Sequence, residues 1–241
     1  MQAQILSVLR LGGSLALPVD GDRETASDVW SVSDMTGKLV LGSRSPRRLE
    51  LLSLLLPREQ IVVCAPSDPA EAGFDGLTAD DEIAQRLQEI ARTKNDDVRS
   101  QQPNGLAILT ADTTIVGRLD GDTPVVLGQP PEDDTWPDVV RGWFRDFYFG
   151  RTHTALTAVC LSNRFGQFVE RIARTDVTFR RDGEAWLDWY LATGEPRGKA
   201  GGYGLQGAAD VFVERIEGSP SNVVGLPLRE TAELLRTCGV L

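Results

Sequence analysis

The segment that most constrains the fold is Leu39-Val40-Leu41-Gly42, followed at once by Ser43-Arg44-Ser45-Pro46-Arg47-Arg48 and a leucine-rich stretch to Pro57. A short apolar run, a turn of small residues and a proline-started helix read as strand, tight turn, helix. Pro46 suits the first helical position, where its missing N–H costs nothing. Ser45 suits the N-cap, where its hydroxyl accepts an orphan amide. Arg47 and Arg48 then fall in the first turn, where cations are disfavoured by ~0.3–1 kcal/mol each. They call for a compensating anion, either a bound phosphate or nearby surface carboxylates.

Beyond this unit, 60–65 reads as a second strand and 66–77 as an acidic, proline-containing loop. Thr78 with Asp81 resembles a capping box opening a helix to about Asn95. Ala107–Thr110 and Thr114–Val116 are strand-like, with 119–122 as a hairpin turn before Val125-Val126-Leu127. A helix over 136–148, alternating strands over 152–161 and 167–179, and a helix over 183–192 follow. After a glycine-rich loop at 198–207 come a strand over 211–216 and a helix over 227–238. Helices and strands without strict βαβ alternation imply an α/β fold with a mixed sheet and flanking helices, or an α+β fold. Residues 1–37 read as an extension before a domain at 38–241. The stretch ILSVLRLGGSLAL, broken by Arg10 and two glycines, reads as neither anchor nor signal peptide.

Composition limits function. With 35 acidic against 25 basic residues the net charge is −10, which repels nucleic-acid polymers and acidic membrane surfaces. Any phosphate must be held by a few cations gathered locally. Cys64, Cys160 and Cys238 have no metal-ligand spacing, and their odd number argues against a disulfide framework, which points to a reducing cytoplasm.

Asp112, between Ala111 and Thr113, places a carboxylate where a half-buried strand carries an apolar or hydroxyl side chain. Burying it costs several kcal/mol unless it is paired or metal-bound. A metal or an arginine partner is implied, or else a bond to a neighbouring turn. Glu71 is either a second carboxylate for a hard cation or a solvated loop residue. Lys94 reads as a helix C-terminal cation unless the fold brings it to phosphate. Gly198-Lys199-Ala200-Gly201-Gly202-Tyr203-Gly204-Leu205-Gln206-Gly207 is either a ligand-cradling loop, with Lys199 and Gln206 as its polar handles, or a flexible surface loop. The single histidine, His153, reads as structural. Trp186, Trp189 and Tyr190 read as a core-facing helix stripe.

Taken together, LVLGSRSPRRLELLSLL at 39–55, ADT at 111–113, GRTH at 150–153, GKAGGYGLQG at 198–207 and VERIEGSPSNVVGLPL at 213–228 resemble the Maf family of nucleoside triphosphate pyrophosphatases. The resemblance covers about residues 38 to 238. It implies a two-lobed α/β domain around a central cleft, often a homodimer. Such a domain hydrolyses the α–β phosphoanhydride of a nucleoside triphosphate with a divalent metal, Mg²⁺ or Mn²⁺. Carried over, Asp112 is the general base and a metal ligand, with Glu71 as a second metal-side carboxylate. Arg47, Lys94 and Lys199 hold the triphosphate, and Ser43 and Arg48 support them. The loop ending Leu205-Gln206 resembles the branch that favours dTTP and UTP, which puts Arg47, Thr113 and Gln206 at its specificity positions.

Two departures stand out. Gln129 in Gly128-Gln129-Pro130 occupies a place where the family usually has lysine. The segment 131–149 also lacks the family's usual Leu-Ser-Gly ending. The loss of a cation at Gln129 motivates an alternative, a catalytically weak nucleotide-binding regulator of cell division. It also admits Arg118 or Arg151 as a replacement for the missing charge.

Overall fold

A computed structural model describes residues 38–67, 73–102, 106–119, 123–163 and 165–241. The expected extension at 1–37, most of the turn at 119–122, and Glu71 lie outside the described residues.

The strands are β1 (Leu39–Gly42), β2 (Ile61–Val63), β3 (Ala107–Arg118), β4 (Pro124–Leu127), β5 (Thr152–Ser162), β6 (Phe168–Phe179) and β7 (Val213–Glu217). They form one sheet in the order β2-β1-β3-β5-β6-β7, with β4 also on β3. β1 runs parallel to β2 and β3, and every other pairing is antiparallel. The mixed α/β sheet expected from the element pattern is what forms.

β3 explains the cleft. Along one edge it pairs with β5 from Ile108 to Val116. Along the other, β1 pairs with its first residues, ending at Gly42↔Thr110, and β4 begins only at Leu127↔Ile115. Residues 111–114 therefore border a gap between two strands, and there the sheet opens into two lobes. Each lobe has its own core. One packs Leu39, Leu41, Leu52, Leu109, Leu161 and Leu235. The other packs Ile115, Phe144, Tyr148, Phe179, Tyr190 and Phe212, with ring centroids 5.1–5.8 Å apart among the contacting aromatics.

The helices are α1 (Pro46–Leu52), α2 (Asp80–Gln101), α3 (Trp136–Trp143), α4 (Leu187–Ala192), α5 (Pro220–Val224) and α6 (Leu228–Thr237). Several local expectations are corrected. Ser45 stands at the N-cap but its side chain makes no capping bond; its amide instead donates to Ser43 Oγ at 3.1 Å. At α2 the N-cap is Ala79, and the Glu82 carboxylate reaches back to the Thr78 and Ala79 amides at 3.3 Å, so the expected Thr78–Asp81 box does not form. α2 also continues to Gln101, which leaves Lys94 well short of its final turn.

The aromatic stripe is shifted by one residue. A 3-10 turn over Arg181–Trp186 precedes α4, whose buried residues are Leu187, Tyr190 and Leu191. Trp186 and Trp189 are 54% and 48% exposed, which overturns their assignment to the core. The change of helical pitch resets the phase of the buried face. Likewise a 3-10 turn over Ala208–Phe212 delays β7 to Val213.

Candidate active site

Alternation along β3 sends its even-numbered residues toward α2 and its odd-numbered ones toward α1 and α5. Thr110 Oγ1 accordingly donates to the Ala91 carbonyl at 2.7 Å, and Lys94 Nζ meets Asp112 Oδ1 at 2.5 Å. Lys94 lies on the same helical face as Ile83, Leu87, Ile90 and Val98, all buried, so its stem is covered and its ammonium is delivered to the cleft. The two side chains are 15% and 10% exposed. The cation beside the strand carboxylate is thus a lysine from α2, where an arginine or a metal was expected.

Thr113, one residue on, faces the other way. Its hydroxyl lies 2.9 Å from Thr157 Oγ1 and accepts from Arg48 Nη2 at 3.2 Å. Arg48 also donates through Nε to the Gly225 carbonyl at 2.8 Å and through Nη1 to Ser43 Oγ at 3.4 Å. The arginine thus ties the β1 turn, β3 and the end of α5 together. Ser43, 4% exposed, is fixed in the same network.

The glycine loop forms the facing wall. Tyr148 and Tyr190 hydroxyls donate to the Gly201 and Gly202 carbonyls at 2.8 and 3.2 Å. Tyr203 OH lies 2.9 Å from His153 Nε2. Gly201 and Gly202 have φ of 69° and 68°, a region that favours glycine. A Cβ on Gly201 would also stand 2.6 Å from Ile115 Cγ1 and from Tyr148 OH. His153 is fully buried and its pKa is pulled down to about 3 by desolvation, so it is a neutral structural anchor, as expected. Tyr148, Tyr190 and Tyr203 are pushed above the usual phenol range, first of all by burial, and remain donors.

These walls enclose a cleft of about 920 Å³. Ser43, Arg47, Arg48 and Lys94 line it, as do Asp112, Thr113, Lys199 and Gln206. All eight described candidates from the sequence converge there from the turn after β1, α1, α2, β3 and the glycine loop. Pro66 and Phe74, which flank the segment containing Glu71, line it too. Arg47 makes no ion pair among the described residues. Lys199 Nζ donates to the Glu195 carbonyl. Burial lowers the Lys199 pKa below the usual lysine range, Glu195 opposes this, and Arg47 adds to it by repulsion.

The family model described as Maf-like protein matches residues 38–238. The chain belongs to the Maf-like family. A dTTP/UTP pyrophosphatase from Anaeromyxobacter dehalogenans is 40% identical over 208 residues, spanning 85% of this chain and 96% of that protein. One of the same name from Bordetella parapertussis is 39% identical over 204 residues, spanning 84% and 93%. Among solved structures, a HAM1 protein from Coxiella burnetii overlaps with a TM-score of 0.40 at 16% identity, over 61% of this chain and 74% of that one.

In this Maf-like cleft five cations, Arg44, Arg47, Arg48, Lys94 and Lys199, face three carboxylates, Asp112, Glu132 and Glu195, within a chain of net charge −10. The local excess of positive charge is what a polyphosphate needs. Gln129 lines the cleft and is exposed. Arg118 and Arg151 are not among the residues that line it, and Arg118 is paired with Asp80 at 2.7 Å.

Among the described residues no three His, Cys, Asp or Glu cluster in a way that could cage a metal. The Asp112 carboxylate fits a different donor set: a hard cation such as Mg²⁺, which takes one or two carboxylates and fills its remaining positions with phosphate and water oxygens.

Sequence reading missed Glu195, the anchoring tyrosines, Thr157, and Asn222, whose amide donates to Ala155 O and Thr175 Oγ1, both at 3.0 Å. Tyr203 carried a signal in its place inside the glycine loop, and Tyr190 in the aromatic stripe, where it is buried as expected. The others depend on long-range contacts that no local pattern encodes.

Proposed function

We propose that this cleft binds a nucleoside triphosphate, with UTP and dTTP preferred, and hydrolyses the α–β phosphoanhydride to a monophosphate and pyrophosphate. The observation that carries the reading is the Lys94–Asp112 pair at the cleft floor, 2.5 Å apart, in the gap along β3. A carboxylate opening on the cleft, fixed in place by its bond to Lys94, can take a proton from water. The water oxygen adds to a phosphorus of the anhydride, the bridging P–O bond breaks, and the proton passes to Asp112.

Arg47, Lys94 and Lys199 neutralise the triphosphate, with Ser43 and Arg48 shaping the turn beneath it. This is the positioning and charge stabilisation that phosphoryl chemistry asks of a protein. Asp112, with Glu71, would hold a divalent cation, which supplies further charge neutralisation when bound. Gln206 offers an amide donor and acceptor to the O4 and N3–H of uracil or thymine. Arg47 and Thr113, which line the same cleft, would act with it as specificity residues.

The names of the relatives support the pyrophosphatase reading, and a regulator without turnover is not favoured. The three free cysteines suit a cytoplasmic protein, and the family resemblance suits a homodimer. Among the described residues no helix is long and apolar enough to cross a membrane.

Pyrophosphate release with Mg²⁺ or Mn²⁺ across UTP, dTTP, CTP, ATP and GTP tests the reading. UTP and dTTP should exceed ATP and GTP in kcat/KM by about 10-fold or more, and a chelator should abolish release. Equal rates on all bases would remove the specificity. No release from any of them would remove the activity.

A further inference from the structure

Glu195 lies beyond the end of α4, in the turn that leads into the glycine loop, and it grips that loop at both ends. Lys199 Nζ donates to its peptide carbonyl at the near end. At the far end its carboxylate Oε2 accepts the Ala208 N–H at 2.6 Å, while Oε1, 3.4 Å from the Tyr190 hydroxyl, shares that single proton with the Gly202 carbonyl. The fit against the loop is close. A Cβ on Gly207 would stand 2.3 Å from Glu195 Oε2, and one on Gly204 would stand 2.9 Å from Lys199 Cε. Glycine at both positions is what lets Glu195 and Lys199 lie flat against the loop.

The two polar handles of the loop lie at different points along it. Lys199 is at its start and Gln206 near its end, and both line the cleft. Tyr148 and Tyr190 fix the middle from beneath through Gly201 and Gly202. Of the residues that bond to this loop, Glu195 holds both its first and its last turn.

We propose that Glu195 is a positioning residue for base selection: by holding the Lys199 end and the Ala208 end in one geometry, it fixes the separation between the phosphate-facing ammonium and the base-facing Gln206 amide. This rests on the pyrophosphatase reading. Without the carboxylate the far end of the loop loses its anchor, and Gln206 no longer meets the base when Lys199 meets the phosphates. A displacement of about 1 Å can cost about 100-fold in rate, so discrimination suffers even if the loop stays folded.

The test measures kcat/KM for UTP and ATP, with thermal melting, in wild type, Glu195→Ala, Glu195→Gln and Gly207→Ala. Glu195→Ala should lower the UTP:ATP ratio by about 10-fold, mainly through the KM for UTP. Gly207→Ala, which pushes the carboxylate off Ala208 from the other side, should do the same, and it decides the matter if Glu195→Ala does not fold. Glu195→Gln retains an amide oxygen for the Ala208 N–H and should keep the ratio within about 2-fold of wild type.

A purely structural role would lower the melting temperature and leave the ratio unchanged. An unchanged ratio in a folded Glu195→Ala or Gly207→Ala overturns the proposal, as does a Gln variant that loses the ratio as fully as the Ala variant. Wild type that releases no pyrophosphate from any nucleotide overturns the underlying reading, and this inference with it, and that result is visible without any variant.

Discussion

Lys94 Nζ and Asp112 Oδ1 stand 2.5 Å apart and join α2 to the middle of β3, at the place where β3 has left β1 and not yet met β4. Both side chains are largely covered yet open on the cleft. The pair is at once a structural bond and the reactive centre of the proposed chemistry, and the two roles predict different things.

For the chemical role, Asp112→Asn removes the proton acceptor while conserving shape. It should lower kcat by about 100-fold or more, the usual range for losing a general base, with an unchanged circular dichroism spectrum. Turnover equal to wild type would remove Asp112 from the mechanism.

For the structural role, Lys94→Met keeps the stem and deletes the charge, leaving a mostly covered carboxylate without its ammonium. Full burial would cost ~3–5 kcal/mol, and the residual exposure of both groups reduces this to about 1–3 kcal/mol. Adding Asp112→Asn should recover most of the loss. Denaturant melts of the four proteins in the cycle check it, and simple additivity would mean that the two residues are not coupled in stability.

Gln129→Lys restores a cation on the cleft wall. A charge-assisted hydrogen bond is worth ~1.5–3 kcal/mol against about 1 for a neutral one. The expected rise in kcat/KM at low salt is therefore about 3- to 30-fold. Because the side chain is exposed, the gain should shrink as ionic strength rises. A value at or below wild type would show that this wall does not face the phosphates.

His153 makes stability depend on pH. Its folded pKa of about 3 lies below the ordinary value of 6.5 because burial disfavours the imidazolium. The unfolded chain therefore binds the extra proton first. Its contribution is complete above pH 6.5 and is lost as pH falls from there toward 3. By about pH 5 the loss is about 2 kcal/mol. Melting curves of wild type against His153→Gln between neutral pH and about pH 5 check this, since the variant retains a polar group but not the titration. Equal acid sensitivity in both would show that carboxylates alone set the slope.

The residues that the amino-acid order identified are those whose role is written in their neighbours. Pro46 after Ser45 starts α1, the clustered glycines mark a tight loop around Lys199 and Gln206, and a carboxylate inside the apolar run of β3 marks Asp112. Turn chemistry, proline's fixed φ and strand alternation act over a few residues, so a short stretch of sequence suffices to read them. Residues whose role is set at a distance were not legible in this way. Trp186 and Trp189 looked like a core stripe until the 3-10 turn before α4 shifted the buried phase to Leu187, Tyr190 and Leu191. Lys94 looked like a C-terminal cation until α2 ran on to Gln101 and carried it to Asp112. Glu195 gave no local sign, because what matters about it is Ala208, thirteen residues ahead, and the missing side chain of Gly207. Local sequence thus singled out candidate residues that line one cleft. The tertiary structure decided how they meet, because the gap along β3 and the grip on the glycine loop exist only once strands and helices distant in the chain have packed together.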